Sequence, residues 1–229
     1  MFKKAKEVWH DSSRKIRQIF VRGLSIMLIK TIPVGQLETN CYVVTDEESL
    51  DCAVIDPGDE SNVILDYLED NRLHCRAIFL THGHYDHVGA VEAIAEETGA
   101  TVYLNREDDA QVRRDLHFPF HLPENGEYYA DGDSVEIGSL RFEVLGTPGH
   151  TPGGVTLRCG DALFTGDTLF RGSCGRTDLP GGDMDAELRS LKKICSLEGE
   201  YEVYPGHMDP SSLARERLFN YYCRLAMNG

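Results

Sequence analysis

Long apolar runs are missing: no stretch approaches the roughly 18 consecutive apolar residues that a membrane-spanning helix needs. Basic residues are scarce too, with 23 Lys and Arg against 38 Asp and Glu in 229 residues, a net charge of -15. Nucleic acid and anionic lipid are held through a basic face, so this charge balance argues against both as partners. The seven cysteines, Cys41, Cys52, Cys75, Cys159, Cys174, Cys195 and Cys223, are odd in number, scattered and free of any C-x-x-C pair. That pattern suits a reducing compartment, and the expected location is the cytoplasm. Cys174 reads as a reactive thiol or, more simply, as a buried one.

No linker or low-complexity tract interrupts the sequence after Met27. With 41% hydrophobic and 27% charged residues, this part is long enough to bury a core as one domain. Residues 1–26 differ, because seven Lys and Arg face Glu7 and Asp11, a local charge of +5 that leaves the remainder at -20. They are expected to be a basic N-terminal extension, lying upstream of a true start at Met27, with residues 27–229 as the domain.

Five of the nine histidines sit in three short blocks: THGHYDH (Thr81 to His87), TPGH (Thr147 to His150) and YPGH (Tyr204 to His207). Adding Asp86 and the Asp167 of TGD gives seven nitrogen and oxygen donors, a set suited to two divalent metals sharing one carboxylate. Each block follows a short apolar run of the kind a buried strand needs. Ala77 to Leu80 leads into His82, Phe142 to Leu145 into His150, Ala162 to Phe164 into Asp167, and Tyr201 to Tyr204 into His207. Four strands ending on one rim would bring these distant donors together.

The remaining pattern alternates strands and helices. Strands are expected at Met27 to Ile32, Cys41 to Thr45, Cys52 to Ile55, Thr101 to Leu104 and Ser134 to Leu145. Helices are expected at Asn62 to Glu69, Val88 to Thr98, Asn105 to Arg114, Met184 to Cys195 and Ser211 to Cys223. The Pro- and Gly-punctuated stretch up to Gly132 reads as a loop over the site, with His117 and His121 near its entrance. This grammar suggests an α/β protein of two sheets packed face to face with helices outside.

Taken in order, THGHYDH, PGH, GD and PGH resemble the metallo-beta-lactamase superfamily, and within it the short, single-domain glyoxalase II-like hydrolases. The resemblance runs from about Met27 to Arg224. It implies an αββα sandwich of two mixed sheets with a binuclear site. His82, His84 and His150 would hold one metal, Asp86, His87 and His207 the other, and Asp167 would bridge them. Zinc is the default metal, with iron or manganese as alternatives.

The segment Gly166 to Asp178 resembles a loop shared with persulfide dioxygenases, in which a basic residue at the Arg176 position touches glutathione. Arg176 is therefore expected to hold a substrate carboxylate, its alternative being a solvated surface arginine. Only 22 residues follow His207, too few for the C-terminal helical domain of full-length glyoxalase II. Asp56, in Ile55-Asp56-Pro57-Gly58, reads either as a hydrogen-bond partner of a ligand histidine or as a turn former.

The expected activity is metal-dependent hydrolysis of a small-thiol thioester, with a metal-activated hydroxide attacking the carbonyl and Asp86 and Asp167 at the reacting centre. The alternatives are a persulfide dioxygenase with a single iron, or a lactone or other ester hydrolase of the same superfamily. The expected partner is the small-molecule substrate.

Overall fold

A computed structural model of the chain describes residues 16–20, 26–112 and 120–229. Its first sheet has seven strands in sequence order: β1 (Ile16–Phe20), β2 (Ile26–Val34), β3 (Thr39–Asp46), β4 (Asp51–Ile55), β5 (His74–Phe79), β6 (Thr101–Asn105) and β7 (Glu127–Tyr129). Pairing is antiparallel from β1 to β4 and parallel from β4 to β7. The second sheet runs β15-β14-β11-β10-β9-β8. Its members are β8 (Ser134–Ile137), β9 (Leu140–Gly146), β10 (Val155–Cys159), β11 (Ala162–Gly166), β14 (Glu202–Pro205) and β15 (Ser211–Ser212). A two-stranded hairpin, β12 (Leu169–Phe170) with β13 (Ser173–Cys174), stands apart. The helices are α1 (Ser61–Asp70), α2 (Tyr85–Val88), α3 (Val91–Thr98), α4 (Arg106–Val112), α5 (Met184–Cys195), α6 (Leu213–Phe219) and α7 (Tyr221–Asn228).

The layering follows from strands that are apolar on both faces, since a strand side left in water would favour polar residues. On one face of the first sheet, Ile29, Val44, Ile55 and Phe79 meet Phe142, Val144, Leu157 and Phe164 of the second. The alternate residues Val43, Val54 and Ile78 pack outward against Ile64 and Leu68 of α1 and Ile94 of α3. Leu163 and Val203 likewise face Leu191, Leu213 and Cys223 of the other helical layer. Two mixed sheets between two helical layers make an αββα sandwich.

Several elements depart from the sequence pattern. The expected strand Ser134 to Leu145 is a hairpin, β8 and β9, turning at Gly138 (φ +59°) and Ser139. The expected helix from Val88 to Thr98 is two helices, α2 starting earlier at Tyr85 and α3 at Val91. Between them the Ala90 amide bonds the Pro57 carbonyl at 2.9 Å, which ties the break to the Asp56-Pro57-Gly58 turn. β7 pairs with β6 inside the stretch expected to be a loop. Within the basic segment β1 pairs with β2, and His117 lies outside the described residues. Among the described residues no helix is long and apolar enough to cross a membrane.

The expected helix Ser211 to Cys223 is β15, α6 and α7. Asn220, fully buried, sits at the helix junction and accepts from the Tyr222 and Cys223 amides as the α7 cap. Its amide nitrogen donates to the carbonyls of Phe170 and Ser173, at 3.2 and 2.8 Å, and so pins the β12–β13 hairpin to the C-terminal helices. Glu216 adds a second pin, accepting from the Gly172 amide at 2.7 Å. Asn220→Ala removes the cap and orphans two carbonyls, so urea unfolding is expected to show a loss of about 2–4 kcal/mol.

Candidate metal centre

Strand direction places the donors. β4 and β5 are parallel neighbours, as are β11 and β14, and β9 shares the direction of β11 because both are antiparallel to β10. Asp56, His82, the TPGH turn, Asp167 and His207 therefore all follow strand ends at one rim. The first residues of β3 clamp the last turn to the other sheet: Tyr42 donates its hydroxyl to the Pro205 carbonyl at 2.6 Å, and the Asn40 side chain donates to Pro205 and Met208. Gly206 is required where this turn passes the site, since a Cβ there would lie 2.3 Å from Asp167 Oδ1 and 2.8 Å from His87 Cε1.

All seven donors come together. His82, His84 and His150 form one group, with His150 Nε2 2.9 Å from His84 Nδ1. Asp86, His87 and His207 form another, with His207 Nε2 3.2 Å and His87 Nε2 3.6 Å from Asp86 Oδ2. Asp167 lies between them: its Oδ1 is 3.5 Å from His87 Nε2 and its Oδ2 is 3.6 Å from both His150 Nε2 and His207 Nε2.

The imidazoles are held by their outer nitrogens. His150 Nδ1 donates to the Arg176 carbonyl at 2.7 Å, His207 Nδ1 to the Leu37 carbonyl at 3.1 Å, and His87 Nδ1 to Asp56 Oδ2 at 3.0 Å. Asp56 also accepts the Thr81 amide and hydroxyl, at 2.8 and 2.6 Å. With its proton given to Asp56, the Thr81 oxygen accepts from His82 Nδ1 at 3.1 Å, so one buried carboxylate orients two rings. A ring that donates through Nδ1 keeps a bare lone pair on Nε2, the form that ligates a cation.

A divalent cation fits this donor set. His82 Nε2, His87 Nε2 and Asp167 Oδ1 are buried with no hydrogen-bond partner, and the same three residues form a group whose ligating atoms lie within 4.8 Å of one another. An unsatisfied buried polar atom costs about 1–3 kcal/mol, and a cation between these acceptors removes that cost. In the metal-free cup a proton on His87 takes the place that a cation would fill. Burial favours a neutral His87, yet the charges of Asp167, Asp56 and Asp86 hold its pKa up at about 9. Burial opposes ionisation of Asp86 as well, but the hydrogen bond from His207 and the charge of His87 carry its carboxyl well below the usual range. Desolvation and the surrounding imidazoles keep His82 neutral, with its pKa well below the ordinary value.

Three buried groups beside the donors were not among the residues expected from the sequence. Asp108 accepts the Gly83 amide at 2.8 Å, the Thr151 hydroxyl at 2.9 Å and the Gly153 amide at 2.6 Å, joining the THGH loop to the TPGH loop. Its place in the run Arg106-Glu107-Asp108-Asp109 reads as a solvated helix face, and nothing in that spacing signals burial. Glu187, fully buried, accepts the His150 amide at 3.0 Å, and burial pushes its carboxyl up to about 8. Here a signal existed, because Glu187 shares the apolar stripe of Leu191 and Ile194 on α5. Thr39, at the start of β3, donates to Asp86 Oδ2 at 3.3 Å.

The Arg176 guanidinium is exposed and makes a two-bonded pair with Asp178, at 2.7 and 2.8 Å, while its carbonyl is the atom that holds His150. Cys174 is buried, and desolvation lifts its thiol to about 12, which leaves it protonated and unreactive at neutral pH. Tyr85 is half exposed, and His74 lies on the surface beside Asp51.

An αββα sandwich carrying seven convergent imidazole and carboxylate donors at one rim defines a metalloprotein of the hydrolase type. The family model of the metallo-beta-lactamase superfamily matches residues 34–207, and the chain belongs to that superfamily. It is 32% identical over 206 residues to the hydroxyacylglutathione hydrolase GloC of Haemophilus influenzae, an alignment covering 85% of this chain and 97% of that one. The crystal structure of BLEG-1 B3 metallo-beta-lactamase superposes with a TM-score of 0.78 at 32% identity, covering 88% of this chain and 100% of the other. TTHA1623 in a di-iron-bound form superposes with a TM-score of 0.73 at 37% identity, covering 84% and 98%.

Two outcomes are expected. Because His87 holds a proton below pH 9 in the metal-free protein, cation binding releases that proton, and apparent affinity rises with pH up to about 9. Calorimetry in buffers of different ionisation enthalpy reads the release directly. Asp108→Asn, which turns a donor NH2 toward groups that are themselves donors, is expected to weaken metal binding by about tenfold or more in a chelator competition.

Proposed function

We propose that this protein hydrolyses thioesters of small thiols, in the manner of a hydroxyacylglutathione hydrolase, with two divalent cations held by His82, His84 and His150 and by Asp86, His87 and His207. Asp167 is the shared carboxylate. The observation that carries this reading is the position of Asp167, with one oxygen 3.5 Å from His87 Nε2 and the other 3.6 Å from His150 Nε2. The near full-length similarity to GloC supports the choice of substrate. Zinc suits an imidazole-rich set, and iron is the first alternative.

Bound divalent cations polarise a carbonyl and acidify water to a pKa of about 7. The chain supplies the rest. Asp86 stays ionised, tethered by the Thr39 hydroxyl, and its carboxylate accepts a hydrogen bond from the attacking water and aims it. Asp56 fixes the rings of His87 and, through Thr81, His82, so the donors need no rearrangement during the reaction. The departing thiolate, with an ordinary thiol pKa of about 8.5, leaves without a general acid. Asp56 acts as a positioning residue, while Arg176 reaches a substrate carboxylate by exchanging its partner Asp178.

The test is thiol release from S-lactoylglutathione, run beside metal quantification of the same sample. Thiol release with about two metals per chain is expected. One iron per chain with oxygen uptake on a glutathione persulfide would overturn the reading. Asp167→Ala is expected to lower kcat by at least about a hundredfold and to lose bound metal, whereas a fully loaded, active variant would refute the bridging role.

A further inference from the structure

A groove beside the metal loop plays no part in the chemistry described so far. Its lining includes Tyr85, which sits between His84 and Asp86 in the chain, together with Gly58 and Gly89. Those two glycines mark a backbone crossing: a Cβ on Gly58 would lie 1.6 Å from the Asp86 carbonyl oxygen, and one on Gly89 would lie 2.3 Å from the Gly58 oxygen. This close crossing fixes the metal loop against the wall of the groove. Val88, Ala95, Phe120 and Leu122 give it an apolar floor, and Phe120 and Leu122 are already packed against the helix-side core.

The rim has one sign of charge. Asp59, Glu92, Glu96 and Glu124 all line the groove and are exposed, and no lysine or arginine lines it among the described residues. His121 and Tyr85 are the other titratable groups facing it. Glu92 and Glu96 stand one turn apart on the same face of α3, a like-charged pair that works against the helix. Glu96 also sits in the last turn of α3, which has no basic residue and where the helix dipole disfavours an anion. Glu96, held at a cost to its own helix, and Glu92 beside it over an apolar floor match a ligand with hydrocarbon and positive charge.

We propose that this groove receives the part of the substrate remote from the scissile bond, and that it selects thioesters whose remote end is a hydrocarbon arm carrying a positive charge over thioesters of a net anionic thiol such as glutathione. The proposal rests on the thioester reading above and narrows it. Selection of this kind works largely by repulsion, since the rim and the -15 net charge raise the energy of an anionic competitor as it approaches.

The test uses three thioesters with one acyl group: S-lactoyl derivatives of glutathione, of uncharged N-acetylcysteamine and of 6-aminohexanethiol. With the metal-loaded enzyme at low salt, kcat/KM is expected to be highest for the aminohexanethiol ester, by about tenfold over glutathione. The ratio should shrink as salt is raised toward about 1 M, where screening acts within about 3 Å. It should also fall toward unity in Glu92→Gln/Glu96→Gln, two exposed changes that leave the core untouched. A wild-type preference for glutathione, or a cationic preference that survives the double substitution, would overturn the proposal.

A binding measurement separates this proposal from the reaction. The uncleavable thioether S-propyl-6-aminohexanethiol, titrated calorimetrically, is expected to bind wild type about tenfold more tightly than Glu92→Gln/Glu96→Gln. If it does while no thioester is cleaved, the groove stands and the reaction reading falls. If thioesters are cleaved without charge preference and the thioether binds both proteins alike, the groove falls and the reaction reading stands.

Discussion

His82 Nε2, His87 Nε2 and Asp167 Oδ1 are buried within 4.8 Å of one another, and none of the three has a hydrogen-bond partner. Left alone, such an arrangement favours movement of the side chains apart or toward water, because each unsatisfied atom loses its hydration and gains nothing. Much of the surrounding structure prevents that escape. Asp56, in the left-handed region at φ +51°, holds His87 directly and His82 through Thr81. Asp108 locks the two loops that carry His82, His84 and His150, and Gly206 lets the last turn approach within contact of Asp167. Strain of this kind persists only where the scaffold over-determines it, and a cation bound there would couple its affinity to fold stability.

The two-sided burial of the strands provides that scaffold. A sheet solvated on one face would leave the rim loops attached to mobile edges, whereas β4, β5, β11 and β14 are fixed by side chains on both faces. The rim also depends on contacts between the sheets that are not apolar. Tyr42 of the first sheet bonds the Pro205 carbonyl of the second, and Asn40 bonds the same turn. His207 is thus held from the first sheet through β3 and, at its own Nδ1, through the Leu37 carbonyl. The spacing of the two donor groups is consequently a property of sheet packing and not of either sheet alone.

What was legible in the sequence was whatever has a period or a spacing. Continuous apolar runs gave the buried strands, and the three histidine blocks gave the donors, because ligand chemistry demands particular atoms at short intervals. Met184–Cys195 was readable to the residue, having a cap at Asp183 and a clear apolar stripe. Where two elements share one pattern the reading failed. β8 and β9 ran together because alternation continues across a two-residue turn at Gly138, and α2 and α3 ran together because the break is set by a tertiary bond from Ala90 to Pro57. Asp108 was illegible for a different reason, and Glu187 showed only its burial in the apolar stripe and not its partner. A buried carboxylate is identified by donors that arrive from distant loops, and those donors are mostly backbone amides, which carry no residue identity.

Backbone groups also decide what the loop from Gly166 to Asp178 contributes. Resemblance directs attention to the Arg176 side chain, yet in the folded chain the guanidinium is committed to Asp178 and the carbonyl is committed to His150. A substrate carboxylate recruiting that side chain must therefore compete with an exposed, two-bonded carboxylate already in place, so much of the attraction would cancel. The carbonyl meets no such competitor, and its position is secured by neighbours that have no freedom to leave: Gly172 on Glu216, Phe170 and Ser173 on Asn220. The helices after His207 thus act on the metal centre by immobilising the loop that orients His150, a route that requires no contact with substrate. The part of this loop that bears on His150 is therefore its backbone, and the Arg176 side chain is balanced by Asp178.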